Sequence, residues 1–290
     1  EMDNKGVDAN LEYQTRIGNK VGLRLFGNLT YSKNKIVFRD EPAMQYAYQK
    51  SEGTRYGEFY GYIAEGYFQS EEEIKKSPRQ MRELAPGDIK YKDLNDDGVI
   101  DANDQCYLGK SWFPSWSYGM GFNINYHNFD LALFFQGVSD VSIMANGGSI
   151  DTGNGDWGAS GVGIVPFTGM GLNPSNVITK ALDRWTADNP RADAWYPRMT
   201  ANATTNDNNY VNSTHWLKDG SYLRLKQASL GYTLENKKLM DKGIEYLYFY
   251  LSGQNLLTFS KFKLWDPELG SNGAKYPLSR MVTLGMRVSF

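Results

Sequence analysis

Val282, Leu284, Met286, Val288 and Phe290 are apolar, and Thr283, Gly285, Arg287 and Ser289 sit between them. Strict alternation of this kind puts every apolar side chain on one face of an extended strand. A helix of the same sequence would scatter them around its surface. At this point the chain is therefore restricted to a β-strand with one apolar and one wet face.

The same alternation recurs upstream. Val7, Ala9, Leu11, Tyr13, Thr15 and Ile17 alternate with Asp8, Asn10, Glu12, Gln14 and Arg16. Val21, Leu23, Leu25, Gly27, Leu29 and Tyr31 alternate with Lys20, Gly22, Arg24, Asn28, Thr30 and Ser32, with Phe26 the one intruder. Trp116, Tyr118, Met120, Phe122, Ile124 and Tyr126 alternate with Ser117, Gly119, Gly121, Asn123 and Asn125; Phe129, Leu131, Leu133 and Phe135 follow. Two noisier strands are expected near 221–233 and 245–256. That makes about seven strands, each near the ~9–11 residues that cross a bilayer at a tilt.

The connections alternate in length. Gly18-Asn19 and His127-Asn128 read as tight turns and 234–243 as a short link, whereas 33–114, 141–220 and 257–279 are long and polar. Short periplasmic turns facing long extracellular loops are the pattern of an outer-membrane β-barrel. With Gly18-Asn19 in the periplasm, parity brings Phe290 down to the periplasmic side. The expected fold is all-β: a portion of a transmembrane antiparallel β-barrel, with short helices in its long extracellular loops. A soluble sandwich is the competing reading, and it rarely needs loops of this length. A spanning sheet must close, and bacterial single-chain barrels use even strand numbers. An odd set predicts a C-terminal barrel portion, with further strands upstream of Glu1.

Composition excludes some alternatives. Basic and acidic residues number 31 and 33, so there is no cationic excess for nucleic acid. Tyrosine (20) and glycine (30) are abundant, which favours β-structure. No apolar run approaches the ~18 residues of a membrane helix. Mean hydropathy is negative, as polar loops and alternating strands make it in a barrel. The single cysteine, Cys106, excludes an internal disulfide.

The strongest local motif is Asp93-Leu-Asn95-Asp-Asp97-Gly98-Val99-Ile-Asp101-Ala-Asn-Asp104. Oxygen-bearing side chains Asp93, Asn95, Asp97, Asp101 and Asp104 stand at loop positions one, three, five, nine and twelve. Gly98 supplies the sharp turn, and Val99 would offer its carbonyl at seven. The spacing predicts a structural Ca2+ site of weak, extracellular type, with Asp104 in place of the EF-hand glutamate. The flanks look strand-like, so no EF helices are expected. A metal-free Asx-turn loop is the alternative.

All seven tryptophans (112, 116, 157, 185, 195, 216 and 265) fall in the long loops or at a strand's loop-side end. Trp116 suits an interfacial girdle. Trp112, Trp157 and Trp195 are the candidates for stacking on a ligand or partner. Ser70-Glu-Glu-Glu73 reads as a capping box on a short helix, and 173–185 as a second loop helix. No catalytic constellation appears. His127 and His215 lack metal spacing, and Cys106 has no histidine near it in sequence. Gly153-Asn-Gly155-Asp-Trp-Gly158 matches a phosphate-loop pattern, but without the strand and helix that would give it meaning. The chain is not expected to be an enzyme.

Several dispersed segments carry a family resemblance. They include Asn28-Leu-Thr-Tyr-Ser-Lys-Asn-Lys35, Pro86-Gly-Asp-Ile-Lys-Tyr-Lys-Asp93 and Asn128-Phe-Asp-Leu-Ala-Leu-Phe-Phe-Gln-Gly137. Arg184-Trp-Thr186, Leu217-Lys-Asp-Gly-Ser-Tyr-Leu-Arg-Leu-Lys226, Leu251-Ser-Gly-Gln-Asn-Leu256 and the terminal Phe290 extend it. In order and spacing they resemble the C-terminal region of a SusC/RagA-type TonB-dependent transporter of Bacteroidota outer membranes.

The resemblance implies a barrel of about 22 strands with a plugged lumen. It also implies a TonB-contacting segment, a SusD-like surface lipoprotein as lid, and import of oligosaccharides or peptides. Plug and TonB contact would lie outside this chain. The terminal aromatic resembles the assembly signal of such proteins. The chain is thus expected to be barrel wall and vestibule, in contact with outer-membrane lipid, its mobile loops forming part of a solute path. An adhesin or structural barrel with ligand-binding loops is the alternative.

Overall fold

In a computed structural model, the described residues are 1–18, 20–146, 179–199, 207–273 and 275–290. In chain order the strands begin with β1 (Met2–Ile17), β2 (Val21–Ile36), β3 (Glu58–Gly61), β4 (Ala64–Tyr67), β5 (Ile89–Tyr91) and β6 (Cys106–Ser111). They continue with β7 (Trp116–Tyr126), β8 (Phe129–Ser139), β9 (Ser142–Met144), β10 (Leu217–Asp219), β11 (Tyr222–Leu234), β12 (Tyr246–Ser260) and β13 (Met281–Ser289). Short helices α1 (Glu71–Lys76), α2 (Asp207–Tyr210) and α3 (Lys237–Met240) lie between them.

Seven strands form one antiparallel sheet in the order β1-β2-β7-β8-β11-β12-β13. These are the seven segments picked out by alternation. Each sheet neighbour is also the next long strand in sequence, as in an up-and-down barrel wall. The register keeps the two faces apart. Val7 pairs with Tyr31, Leu25 with Phe122, Ile124 with Leu131, Leu230 with Leu251 and Phe249 with Met286. The apolar partners share one face, which packs against nothing in the chain: Leu284 is 81% exposed and Leu11 76%. Such a face needs lipid as its solvent.

The other face is polar. Glu12 takes two hydrogen bonds from Arg24, at 2.8 and 3.0 Å. Phe26, the intruder of the pattern, has a partner there. Its ring stacks on Phe134, with centroids 6.0 Å apart, and the Arg24 guanidinium lies 5.2 Å from it. Gly119 and Gly121 of β7 make room between them. A Cβ at Gly121 would lie 2.5 Å from the Phe26 ring and 2.6 Å from the Leu133 carbonyl oxygen. The noise in β11 also has a cause. A register shift between Leu225 and Gln227 moves the apolar phase from even positions (Ala228, Leu230, Tyr232) to odd ones (Leu225, Leu223).

On one edge of the wall the links are short. They are Gly18 to Lys20, His127-Asn128, and 235–245 with α3. On the other edge the long segments are 37–115, 140–221 and 261–280. β2 runs on to Ile36 and β12 to Ser260, each reaching into what the alternation assigns to loop. At the loop-side edge Tyr31 and Trp116 pack with ring centroids 4.5 Å apart, as in an interfacial girdle.

The aromatic core of the described residues is in the loops, not in the wall. Phe59, Tyr62, Tyr67, Ile89, Tyr91, Ile100, Met144, Trp185, Tyr196, Tyr210 and Trp216 form one buried cluster. The described parts of the long segments, expected as mobile loops, pack together as a platform above the wall. The reason is solvent. In water a segment gains by burying aromatics, whereas lipid offers no such gain.

Gly121→Ala in the full-length protein is expected to force Phe26 or the β8 backbone aside. The loss should be about 1–3 kcal/mol, typical of overpacking. A lowered midpoint for the heat-induced loss of the compact gel band measures it; an unchanged midpoint would mean that the Phe26–Phe134 pair does not rest on the glycine.

Candidate functional site

The platform is built from small paired strands. β3 pairs with β6, β4 with β5, and β9 with β10. Helix α1 is capped as its sequence predicts: Ser70 Oγ accepts the Glu73 amide at 3.2 Å, and the Glu73 carboxylate reaches back to the Gln69 amide at 2.8 Å. The first and second long segments are joined through their backbones. The Tyr62 amide donates to Asn212 O (2.9 Å), and the Thr214 amide to Tyr62 O (3.0 Å). A buried polar network backs this up. Gln80 donates to Asn208 at 2.8 Å, Asn209 donates to Asp88 at 2.7 Å, and Arg198 pairs with Asp88 at 2.6 Å.

The third segment is anchored to the wall. Arg224 of β11 is buried and pairs with Asp266 at 2.5 Å and Glu268 at 3.5 Å. Asp266 also caps a short 3-10 turn, Pro267–Leu269, by accepting the Glu268 amide. A buried guanidinium holding two carboxylates from one turn fixes that turn's position over the strand.

His215 lies inside the aromatic cluster. Its ring meets Trp216 edge-on at 4.7 Å and Tyr67 at 5.5 Å. The Tyr67 hydroxyl donates to Ala194 O at 2.8 Å. Burial, with help from the Lys218 charge, lowers the His215 pKa to about 4. It is a neutral core residue at physiological pH. Burial also pushes the Cys106 thiol up, as befits an unreactive buried cysteine.

A cleft of about 660 Å³ opens beside this cluster. It is lined by Lys180, Lys218, Lys261 and Lys263, with Asp183 and Asp219, Trp195, and the apolar residues Leu182, Phe262 and Leu264. Trp195 organises the lysines. The Lys218 ammonium lies 5.1 Å from its ring centroid and the Lys180 ammonium 6.0 Å. Lys218 Nζ also donates to His215 O at 2.6 Å. Burial first, and the Lys180 charge second, hold the Lys218 pKa down to about 8. Asp183 is shared between Lys180 (2.7 Å) and Arg191 (3.2 Å).

Of the candidate tryptophans, Trp195 thus stands at a cleft. Trp112 instead packs edge-on against Phe59 at 5.9 Å and beside Phe113 at 5.7 Å. Trp157 lies outside the described residues, as does Gly153–Gly158. The helix expected over 173–185 is described only from Thr179, where Thr179–Leu182 form a 3-10 turn. Sequence reasoning missed the lysines. The alternation Lys261-Phe262-Lys263 is a visible signal, but Lys180 and Lys218 become its neighbours only through the fold.

The acidic loop is held by its own backbone. Asp93 accepts the amides of Asp96 and Gly98, both at 2.8 Å, and Asp97 accepts the Val99 amide at 2.8 Å. Asn95 accepts the Asp97 amide at 3.1 Å, and Asp101 the Asn103 amide at 2.7 Å. Gly98 makes the sharp turn at φ +81°. Asp104 is fully buried, and its two oxygens accept the Leu94 and Asp101 amides at 2.7 and 2.8 Å, clamping the loop shut. The donors are hard oxygens suited to calcium. Among the described residues no three His, Cys, Asp or Glu side chains gather as a metal site.

No family model matches the chain. Its sequence relatives are TonB-dependent receptors. TonB-dependent receptor P3 of Formosa agariphila is 26% identical over 318 aligned positions, spanning all of this chain and 29% of the receptor. TonB-dependent receptor P26 of the same organism is 30% identical over 241 positions, spanning 78% of this chain and 22% of the receptor. Among solved structures, the RagAB peptide importer in its open-open and closed-closed states superposes with a TM-score of 0.69 and 22% identity. That match covers 100% of this chain and 29–30% of the importer chain. The chain therefore spans less than a third of the length of these relatives. Relatives and fold bear out the resemblance to SusC/RagA-type TonB-dependent transporters, and the fold is a portion of the RagA-type β-barrel. The relatives are receptors and transporters, not enzymes.

The depressed His215 pKa has a stability consequence. Unfolded, the imidazole binds a proton below about 6.5; folded, it does so only near 4. Between those values acid favours the unfolded platform. Limited proteolysis of the platform is expected to accelerate from pH 7 to pH 5, and His215→Phe to flatten that dependence. Equal pH dependence in both proteins would remove His215 as the cause.

Proposed function

We propose that this chain is barrel wall and outer vestibule of a TonB-dependent importer of nutrients in the outer membrane of a Gram-negative bacterium. One observation carries the reading: all of this chain superposes on the RagAB peptide importer. The sequence relationship to TonB-dependent receptors supports it independently. The wall suits the role, with an apolar face for lipid and a polar face for a wet lumen. The expected cargo is a peptide or oligosaccharide. A SusD-like lipoprotein would sit over the platform, and TonB would act through segments outside this chain.

The test is growth of strains lacking this protein, or lacking TonB, on a panel of peptides and glycans as sole nutrient. Loss of growth on the same member in both strains is the expected result. Normal growth of the first strain on every member counts against the import role and leaves an adhesin or structural barrel.

A separate proposal concerns the loop Asp93–Asp104. It takes Ca2+ through Asp93, Asn95, Asp97, the Val99 carbonyl, Asp101 and Asp104, and the ion orders the first long segment. The oxygen spacing and the turn at Gly98 support this. Affinity should be of extracellular type, roughly 10⁻⁴–10⁻³ M. Calcium is expected to raise the thermal midpoint of the full-length protein but not of its Asp93→Ala/Asp97→Ala variant. Identical shifts in the two would sink the idea.

A further inference from the structure

The cleft beside Trp195 gathers more positive charge than its carboxylates neutralise. Four lysines line it against two aspartates. Asp183 is already engaged by Lys180 and Arg191. Asp219 accepts the Ser221 amide at 2.9 Å, and its ion-pair partner among the described residues is Lys261, at 4.0 Å, a lysine whose side chain is 88% exposed. Lys218 forms no ion pair among the described residues. Its ammonium rests on a carbonyl oxygen and an aromatic ring, both neutral.

Burying a cation on neutral partners is costly, and placing Lys180 at the same ring adds like-charge repulsion. A chain optimised for stability alone would put a carboxylate or an apolar side chain here. Lys180 donates to Asp183 and Lys218 to His215 O, and the Trp195 ring beside both ammonium groups takes up none of their remaining N–H donors. Leu182, Phe262 and Leu264 give the cleft an apolar side, so a ligand with both a charged and an apolar part would bury both.

We propose that this cleft is a binding subsite for an oxyanion group, carboxylate or sulfate, carried by an arriving solute, with Lys218 as principal contact, Lys180 beside it, and Lys261 and Lys263 at the rim. The charge is terminal in a peptide and lateral in an acidic or sulfated glycan; the chemistry of recognition is shared. The proposal deepens the import reading and rests on it for the source of the solute, but binding is measured apart from uptake.

The experiment is calorimetric titration of the full-length transporter with charged and neutral twins. One pair is a tripeptide with a free C-terminus and its C-terminal amide. The other is a sulfated disaccharide and its unsulfated form. Sodium sulfate is the third probe. The charged twin of at least one pair should bind about tenfold more tightly than its neutral partner, the scale of one charge-assisted contact. Which pair shows the preference identifies the source of the charge. Lys218→Gln should abolish the preference of the charged twin over its neutral partner. Lys261→Gln, at an exposed position that folding does not depend on, should reduce it. Equal binding of the twins in both pairs, binding of none of the probes, or a preference that survives Lys218→Gln overturns the proposal. An uptake defect in a strain lacking TonB bears on the import reading alone, so the two can fail separately.

Discussion

In hydrocarbon an unpaired peptide group has no water to turn to, and each such group costs several kcal/mol. The wall is one answer to that constraint. Its seven strands pair in register along an antiparallel ladder, each with the next long strand in sequence. With the ladder carrying the backbone, side chains are free to follow the solvent on either side. The apolar face needs no partner within the chain, and the polar face can carry Arg24, Glu12, Asn123 and Asn125 without burying a charge. The loop platform depends on this in turn, because the loop-side ends of β2, β7, β8, β11 and β12 fix where its segments start and stop.

Much of the wall is legible in the sequence because its rule is local. A strand between lipid and water obliges its own residues to alternate, so Val282 to Phe290 declares both faces within one segment. The rule blurs where geometry departs from it. The shift at Leu225/Gln227 changes the phase in mid-strand, which is why β11 reads as noisy. Phe26 breaks the pattern because its reason lies two strands away, in Phe134 and in the glycines between. A single sequence carries no sign of such a pairing.

The platform is far less legible, for the same physical reason reversed. Its folding rule is non-local. Trp195, Tyr196, Tyr210 and Trp216 are close in sequence, but Phe59, Tyr67, Ile89 and Tyr91 reach them from the first long segment. Capping at Ser70 was readable because a cap spans one turn. The cleft was not, since Lys180, Lys218 and Lys261 come from three separate stretches. The aromatic-rich, polar loops announced that something would be packed or bound there, without saying which tryptophan would be core and which would stand at a cleft.

The backbone link between Tyr62 and the 212–214 stretch has a consequence for how the molecule is made. Ala64 donates to Thr214 Oγ1 across 150 positions of chain, and Tyr67 meets His215 across 148. The first long segment cannot complete its core until the second has been synthesised and has packed beside it. Contacts of such separation form slowly, after their loop-closure entropy has been met. Until the second segment packs, Phe59, Tyr62 and Tyr67 of the first lack part of their cover. The loop-side surface becomes the last part of the molecule to acquire its shape.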